Sequence, residues 1–220
     1  MKAPSKSVSK SPGTLDVFGD TRKATRALAR RDVNLRKCLK AIEKPVIRRR
    51  DGGFEGLFRI IVEQQVSVPS AQAIWKRCVE GLSAPSVKDV LKAGDTKLKS
   101  FGLSAPKARY VLGVAAAVRK GAFSFDALPM MNDEEATASL TSLKGIGPWS
   151  AAIYLLFCEG RADIWPSKDV ALKAAYNAAS GEGLSQQALD DGAYTWAPYR
   201  GISAHILWTY YAHLKGRTPI

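Results

Sequence analysis

The sequence predicts an all-α protein, and three observations carry that prediction. Apolar residues recur at three- and four-residue spacings along most of the chain. Helix start signals (Ser, Asn or Asp ahead of a Pro or a Glu) precede those stretches, and glycines follow them. No stretch alternates apolar and polar residues with the period of two that a half-buried strand needs, and no segment repeats at a fixed length. About nine to eleven short helices are expected.

In chain order, residues 1–13 are Ser, Lys, Pro and Gly with almost nothing to bury, which reads as a disordered basic tail ahead of one helical domain over 14–220. Leu35, Cys38, Leu39 and Ile42 form the first apolar stripe; Phe54, Leu57, Phe58, Ile61 and Val62 form the next. Ser67, just before Pro69, opens a helix carrying Ala71, Ile74, Trp75 and Cys78, with Gly81 as its stop. Ser104, before Pro106, opens another carrying Val111, Leu112, Ala115 and Val118, stopped at Gly121. Asn132 and Glu135 have capping-box spacing ahead of Ala136, Leu140 and Leu143, and Gly160 ends a later stretch. Asp169 precedes Val170, Ala171, Ala174 and Ala175, which are expected to face inward.

Composition narrows the partners. At 220 residues, 46% hydrophobic and 24% charged, the chain can build a core without disulfides or a structural metal. It carries 33 Lys and Arg against 20 Asp and Glu, a net charge of +13. Residues 1–50 hold 15 of those cations against 4 acids, and the rest hold 18 against 16. Such an excess favours a polyanion: nucleic acid first, an acidic membrane surface second. Cys38, Cys78 and Cys158 lie far apart, form no CxxC, and have neither His205 nor His213 nearby. Reduced, buried thiols are expected, and iron–sulfur clusters and zinc fingers are disfavoured. There is no apolar run of 18 residues and no signal-peptide pattern at the N-terminus, so a cytoplasmic, nucleoid-associated monomer without a membrane partner is expected.

One stretch departs from core patterning: Leu143-Lys144-Gly145-Ile146-Gly147-Pro148-Trp149-Ser150-Ala151. Two glycines flank one apolar residue between two helices, and Pro148 suits the first turn of the second. Glycines let the backbone approach another molecule, and successive N–H groups beside a helix N-terminus can cradle a phosphate oxygen. Ile146 can plug the turn into the core. Further on, in Asp163-Ile164-Trp165-Pro166-Ser167-Lys168-Asp169, the last carboxylate opens a helix. It reads as a plain N-cap or as an acid facing a cleft.

With these two segments in hand, the chain resembles the helix-hairpin-helix DNA glycosylase superfamily, and within it the 3-methyladenine DNA glycosylase II group. The hairpin string followed by Pro166-x-x-Asp169 carries the likeness. Ile61-Val62-Glu63-Gln64-Gln65-Val66-Ser67 resembles that group's I-x-x-Q-Q-x-S junction. Trp196-Ala197-Pro198-Tyr199-Arg200 with Trp208 resembles its W-x-P-[WY]-R…W segment, and Gly102-Leu103-Ser104 with Lys107 and Tyr110 fits in order. The likeness covers roughly residues 50–215.

The resemblance implies two helical subdomains with the active-site cleft between them. It makes Asp169 the catalytic carboxylate, which stabilises an oxocarbenium-like sugar and orients or deprotonates the attacking water. It makes Gly145, Ile146 and Gly147 phosphate donors, with Lys144 as a further DNA contact and Gln65 as the side chain that fills the gap left by the flipped base. Trp149 and Trp208 would line the base pocket. Tyr154 and Trp165 are added to it: Tyr154 because Ile153 stands where some relatives have a pocket tyrosine, Trp165 because it could reach the pocket or brace the hairpin. Strand-cutting members carry a lysine where Trp149 stands, so a monofunctional enzyme is implied. No cofactor is implied beyond a monovalent cation at the hairpin when DNA is bound. No metal is expected, and no N-terminal sheet domain of the kind some members carry.

The expected activity is removal of alkylated purines (3-methyladenine, 7-methylguanine) from damaged double-stranded DNA. A glycosylase for uracil or an oxidised base, or a non-catalytic DNA-binding protein, are the alternatives. Trp75, Tyr110, Tyr176 and Tyr210 stand at helical spacings and read as core, His205 as a satisfied helix residue, and Arg200 as a structural ion-pair partner.

Overall fold

The computed structural model describes residues 21–218, so the expected tail 1–13 lies outside the described residues. Eleven α-helices follow one another: α1 Thr21–Arg31, α2 Val33–Ile42, α3 Gly53–Glu63, α4 Val68–Leu82, α5 Val87–Ser100, α6 Ala105–Arg119, α7 Asp133–Thr141, α8 Pro148–Tyr154, α9 Val170–Ser180, α10 Gln186–Gly192 and α11 Arg200–Leu214. Short 3-10 turns at Phe125–Met130 and Ala193–Trp196 and a π-helical turn at Leu155–Glu159 complete the described chain, which contains no strand. The fold is all-α, as the periodicity predicts.

Local start signals act as read. Ser67 accepts the Ser70 N–H, and Asn132 and Glu135 close a reciprocal capping box on α7. Ser104 occupies the N-cap of α6 without a side-chain bond. Gly121 and Gly160 follow α6 and the π-helical turn with φ of 70° and 73°. Gly81 does not end its helix. α4 continues to Leu82, and a Cβ on Gly81 would lie 2.2 Å from the Phe101 ring, so the glycine admits a neighbouring helix. The inward face of α9 is also corrected: Leu172, Ala175 and Ala179 are buried, whereas Val170 is 76% exposed and Ala174 points outward.

The helices form two groups around one continuous apolar core. In the first, α3 packs on α4, α6 and α8, α5 on α6, and α7 on α8. In the second, α11 packs on α9, α2 and α1, and α10 on α9. The joint is the π-helical turn after α8. Its Phe157 ring stacks on His205 and meets Trp208 edge-on, both from α11, and its carbonyl accepts the Arg50 N–H from the segment after α2. The positive excess sits on the second group, with Arg22, Lys23, Arg26 and Arg30 exposed on α1 and Arg36, Lys37 and Lys40 on α2. Cys38 and Cys78 are buried and Cys158 half-buried; all three are free thiols, and burial pushes them up to about 12, 11 and 12 respectively. No helix among the described residues is long and apolar enough to cross a membrane.

Candidate active site

The hairpin between α7 and α8 is fixed from below. Ile146 is buried and its N–H donates to the Leu143 carbonyl, which closes the turn. Gly145 has a φ of 92°, and a Cβ there would lie 2.2 Å from the Tyr110 ring, so only glycine lets this turn sit on α6. The Gln64 amide donates to the Gly145 carbonyl at 3.0 Å and to Ser150 Oγ at 2.9 Å. Lys107, also from α6, donates to the carbonyls of Val62 and Gln64 at the end of α3, and burial lowers its pKa. One network therefore ties the hairpin to the α3–α4 turn. Gln65 stands exposed in that turn with a φ of 52°, an uncommon conformation for a residue with a Cβ.

This corrects one hairpin role. The Ile146 N–H is spent inside the turn, so the residue is a plug and offers no free donor. The Gly145 and Gly147 N–H groups have no acceptor among the described residues, and Lys144 is exposed beside them. The Leu143 and Gly145 carbonyls each accept one bond, which leaves each with a second lone pair.

Across the boundary, Asp169 is both the N-cap of α9 and the partner of the hairpin helix. Its Oδ1 accepts the N–H groups of Ala171 and Leu172 at 2.9 and 3.0 Å; its Oδ2 accepts the Trp149 indole N–H at 2.9 Å. The residue is 8% exposed and Trp149 is half-buried. The N-cap reading of Asp169 holds for one oxygen, while the other is bonded to the hairpin helix.

Trp208, expected in the pocket, is buried on α11 against Phe157, His205 and the Arg48 guanidinium. The Arg48 guanidinium lies 5.4 Å from the Trp208 ring centroid and 5.9 Å from that of Phe157. Burial lowers the Arg48 pKa, and the charge of Asp169 opposes that shift. The Arg48 N–H points at His205 Nδ1 at 3.5 Å, while the buried Nε2 has no partner among the described residues, so His205 is only partly satisfied.

Two expected pocket residues lie elsewhere. Tyr154 is buried, packs on Phe125, and accepts the Gly53 N–H at 2.8 Å, at the start of α3. Five residues after Trp149, it is rotated about 140° around α8 and faces the core. Trp165 donates to Asp190 Oδ1 at 2.9 Å and meets the Trp196 ring edge-on, bracing the loop before Asp169 against α10 and not the hairpin. Arg200 pairs with Asp163 through Nε and Nη2, a structural role, and Tyr110 is the hairpin's floor. Sequence reasoning missed Gln64, Arg48 and Asp190. Gln64 was visible beside Gln65, and the other two contacts bridge distant segments with no local signature. Among the described residues no cluster of His, Cys, Asp or Glu can hold a metal ion.

Comparison with known proteins places these features in a family. The profile of the HhH-GPD superfamily base excision DNA repair protein matches residues 58–187, which include the hairpin and Asp169. The alkylbase DNA glycosidase-like protein mag2 of Schizosaccharomyces pombe is 30% identical over 162 residues, covering 70% of this chain and 76% of that protein. A DNA-3-methyladenine glycosylase of Bacillus subtilis is 27% identical over 131 residues, and the match covers 54% of this chain and 43% of that protein. The chain thus spans less than half of the latter. The crystal structure of a DNA-3-methyladenine glycosidase from Bacillus halodurans superposes with a TM-score of 0.76 at 25% identity, over 93% of this chain and 95% of the other.

Proposed function

The chain belongs to the HhH-GPD superfamily of base excision DNA repair proteins, and from that premise we propose that it is a monofunctional DNA glycosylase that removes alkylated purines, notably 3-methyladenine and 7-methylguanine, from double-stranded DNA. The observation that carries the reading is the Trp149–Asp169 hydrogen bond, which joins the aromatic and the carboxylate across the boundary between the helix groups. A purine flipped out of the stack would lie against the Trp149 face, with its C1′ toward Asp169. As the glycosidic bond breaks, the base takes the electron pair and C1′ becomes positive. Asp169, already held by three N–H donors, stabilises that charge with little reorganisation. Water adds hydroxide to C1′, and its proton ends on the departing base or in solvent.

The remaining parts support the same reaction. The free N–H groups of Gly145 and Gly147, with Lys144, suit a phosphate near the lesion. A monovalent cation on the hairpin carbonyls would add positive charge there. Gln65, presented outward by its strained turn, suits the gap in the stack. Trp149 cannot form an imine, and the neighbouring Lys144 and Lys168 are exposed, so the product is an uncut strand bearing an abasic site.

Arg48 favours a second reading. Its guanidinium already lies over Trp208, and the guanidinium N–H groups, unlike the backbone N–H, have no acceptor among the described residues. A cation there suits an uncharged oxidised or deaminated base with a carbonyl acceptor better than a cationic one. A base-release assay over duplexes carrying 3-methyladenine, 7-methylguanine, uracil and 8-oxoguanine, with end-labelled strands run before and after hot alkali, separates these readings. Release of the methylpurines with strand breaks only after alkali supports the proposal. Exclusive release of a neutral base favours the second reading, and breaks without alkali overturn the monofunctional assignment.

A further inference from the structure

The loop that delivers Asp169 is held by a contact from another helix. Lys168, immediately before it, has a φ of 65°, a conformation disfavoured for any residue with a Cβ. Its N–H donates to Asp190 Oδ2 at 3.1 Å, while Asp190 Oδ1 accepts the Trp165 indole N–H at 2.9 Å and the Gln186 amide at 3.2 Å. A single carboxylate on α10 thus grips the loop at Trp165 and at Lys168. The strained residue sits between that grip and the carboxylate that meets Trp149.

We propose that Asp190 is a positioning residue: by holding Lys168 in its left-handed conformation, it aims Asp169 at Trp149 and at the sugar that the active site would receive. This rests on the reading of Asp169 as the reaction's carboxylate. Strain at a residue adjoining a functional group persists only where surrounding contacts over-determine it, and here the over-determining contact is identifiable. Without it, Lys168 relaxes toward negative φ and the following peptide rotates, swinging Asp169 away from the indole. Asp190 makes no hydrogen bond to Trp149 or Asp169, so its hold on Asp169 runs through the Lys168 backbone.

The prediction separates positioning from plain loop stability. The chain holds five tryptophans, so the indole N–H resonances of the full-length protein can be assigned with single Trp→Phe variants. Asp190→Ala should shift Trp165, which loses its acceptor, together with Trp196, whose ring it meets, and also Trp149, which has no hydrogen bond to Asp190. A structural clamp would leave Trp149 unmoved. Lys168→Gly removes the cost of the positive φ, so in the Asp190→Ala background it should return the Trp149 resonance toward its wild-type position while Trp165 stays shifted. Single-turnover base release should follow: a roughly 10- to 100-fold loss for Asp190→Ala, unchanged affinity for abasic duplex, and at least partial recovery in the double variant. Asp190→Asn, which keeps one acceptor, should fall between and serves if the alanine variant unfolds. An unmoved Trp149 resonance in folded Asp190→Ala or Asp190→Asn, or a double variant no better than Asp190→Ala, overturns the proposal. Wild-type speed in Asp169→Asn would instead overturn the reading of Asp169; the Trp149 resonance tests Asp190 regardless.

Discussion

The hairpin loop, residues 143–149, and the loop that ends at Asp169 meet at one hydrogen bond, yet they are held in opposite ways. The hairpin rests on packing: Ile146 is buried, the Tyr110 ring lies under Gly145, and the Gln64 amide ties the loop to α3. The aspartate loop also buries Ile164 and packs Trp165 on Trp196, but next to Asp169 its strained Lys168 is held by a polar grip from Asp190, which Trp165 shares. Packing tolerates small changes at its surface but fails when its floor is filled. A polar grip fails when one acceptor is lost. The two sides of the site should therefore break differently.

The largest effect is expected at the point of contact. Asp169→Asn keeps an oxygen for the Ala171 and Leu172 N–H groups, so α9 stays capped, while the new NH2 faces the Trp149 indole N–H and that bond is lost, at a cost of about 1 kcal/mol. It loses the charge facing the developing cation, which should cost on the order of 10²–10³ in the rate of base release. DNA affinity should hold or rise, since a repulsive charge has gone. Single-turnover excision with parallel binding to abasic duplex measures both. Wild-type excision by the Asn variant would remove Asp169 from the chemistry.

The two hairpin glycines sharpen the contrast next. Gly145→Ala imposes a disfavoured φ and drives a Cβ into the Tyr110 ring, so it should destabilise the fold by about 2–4 kcal/mol in urea titrations. Gly147 has an ordinary φ of −90°, and a Cβ there meets open space. Gly147→Ala should fold as the wild type, yet put a methyl group where a phosphate oxygen would approach. A roughly tenfold loss of affinity for undamaged and abasic duplex alike, about 1.4 kcal/mol, is expected. If Gly147→Ala binds normally, the hairpin is a turn and nothing more.

That contrast also explains what the sequence could show. Caps such as Ser67 and the Asn132–Glu135 pair were legible because both partners lie within one helical turn. So was Ile146, a lone apolar residue between glycines. Gly81 was misread because its reason is the Phe101 ring, a residue of the next helix end. Val170 looked like core but lies at the open mouth of α9. Asp190, Arg48 and the true place of Trp165 depend on segments brought together only by folding. Family likeness put Trp149 and Asp169 in one site, but their hydrogen bond was not anticipated, since no spacing rule predicts which indole meets which carboxylate. The hairpin side, built from local packing, was read more fully than the side built from distant polar contacts.

The smallest expected effect separates the two sides by pH. Both histidines of the chain lie on α11, in the helix group that carries Asp169, and only His205 is fully buried. Burial, aided by the charges of Arg48 and Arg49, lowers its pKa from 6.5 to about 3. The unfolded chain therefore binds a proton that the folded protein excludes. Stability from this group is complete above pH 6.5 and is lost as pH falls from there toward 3. Between pH 7.5 and 6.0 the loss is about 1 kcal/mol, steepening to about 1.4 kcal/mol per unit below that. Carboxylates contribute little above pH 6, which isolates the imidazole. Urea titrations of the wild type and of His205→Gln at both pH values give the comparison, because the substitution's own cost cancels in the difference. The wild type should lose about 1 kcal/mol more than the variant. Amide exchange at pH 6.0 should then show α11 losing protection before α3 and α6, which lie beneath the hairpin. Equal pH dependence in the two proteins would mean that the imidazole is hydrated or takes up a proton in the folded state, and that acid does not distinguish the two sides.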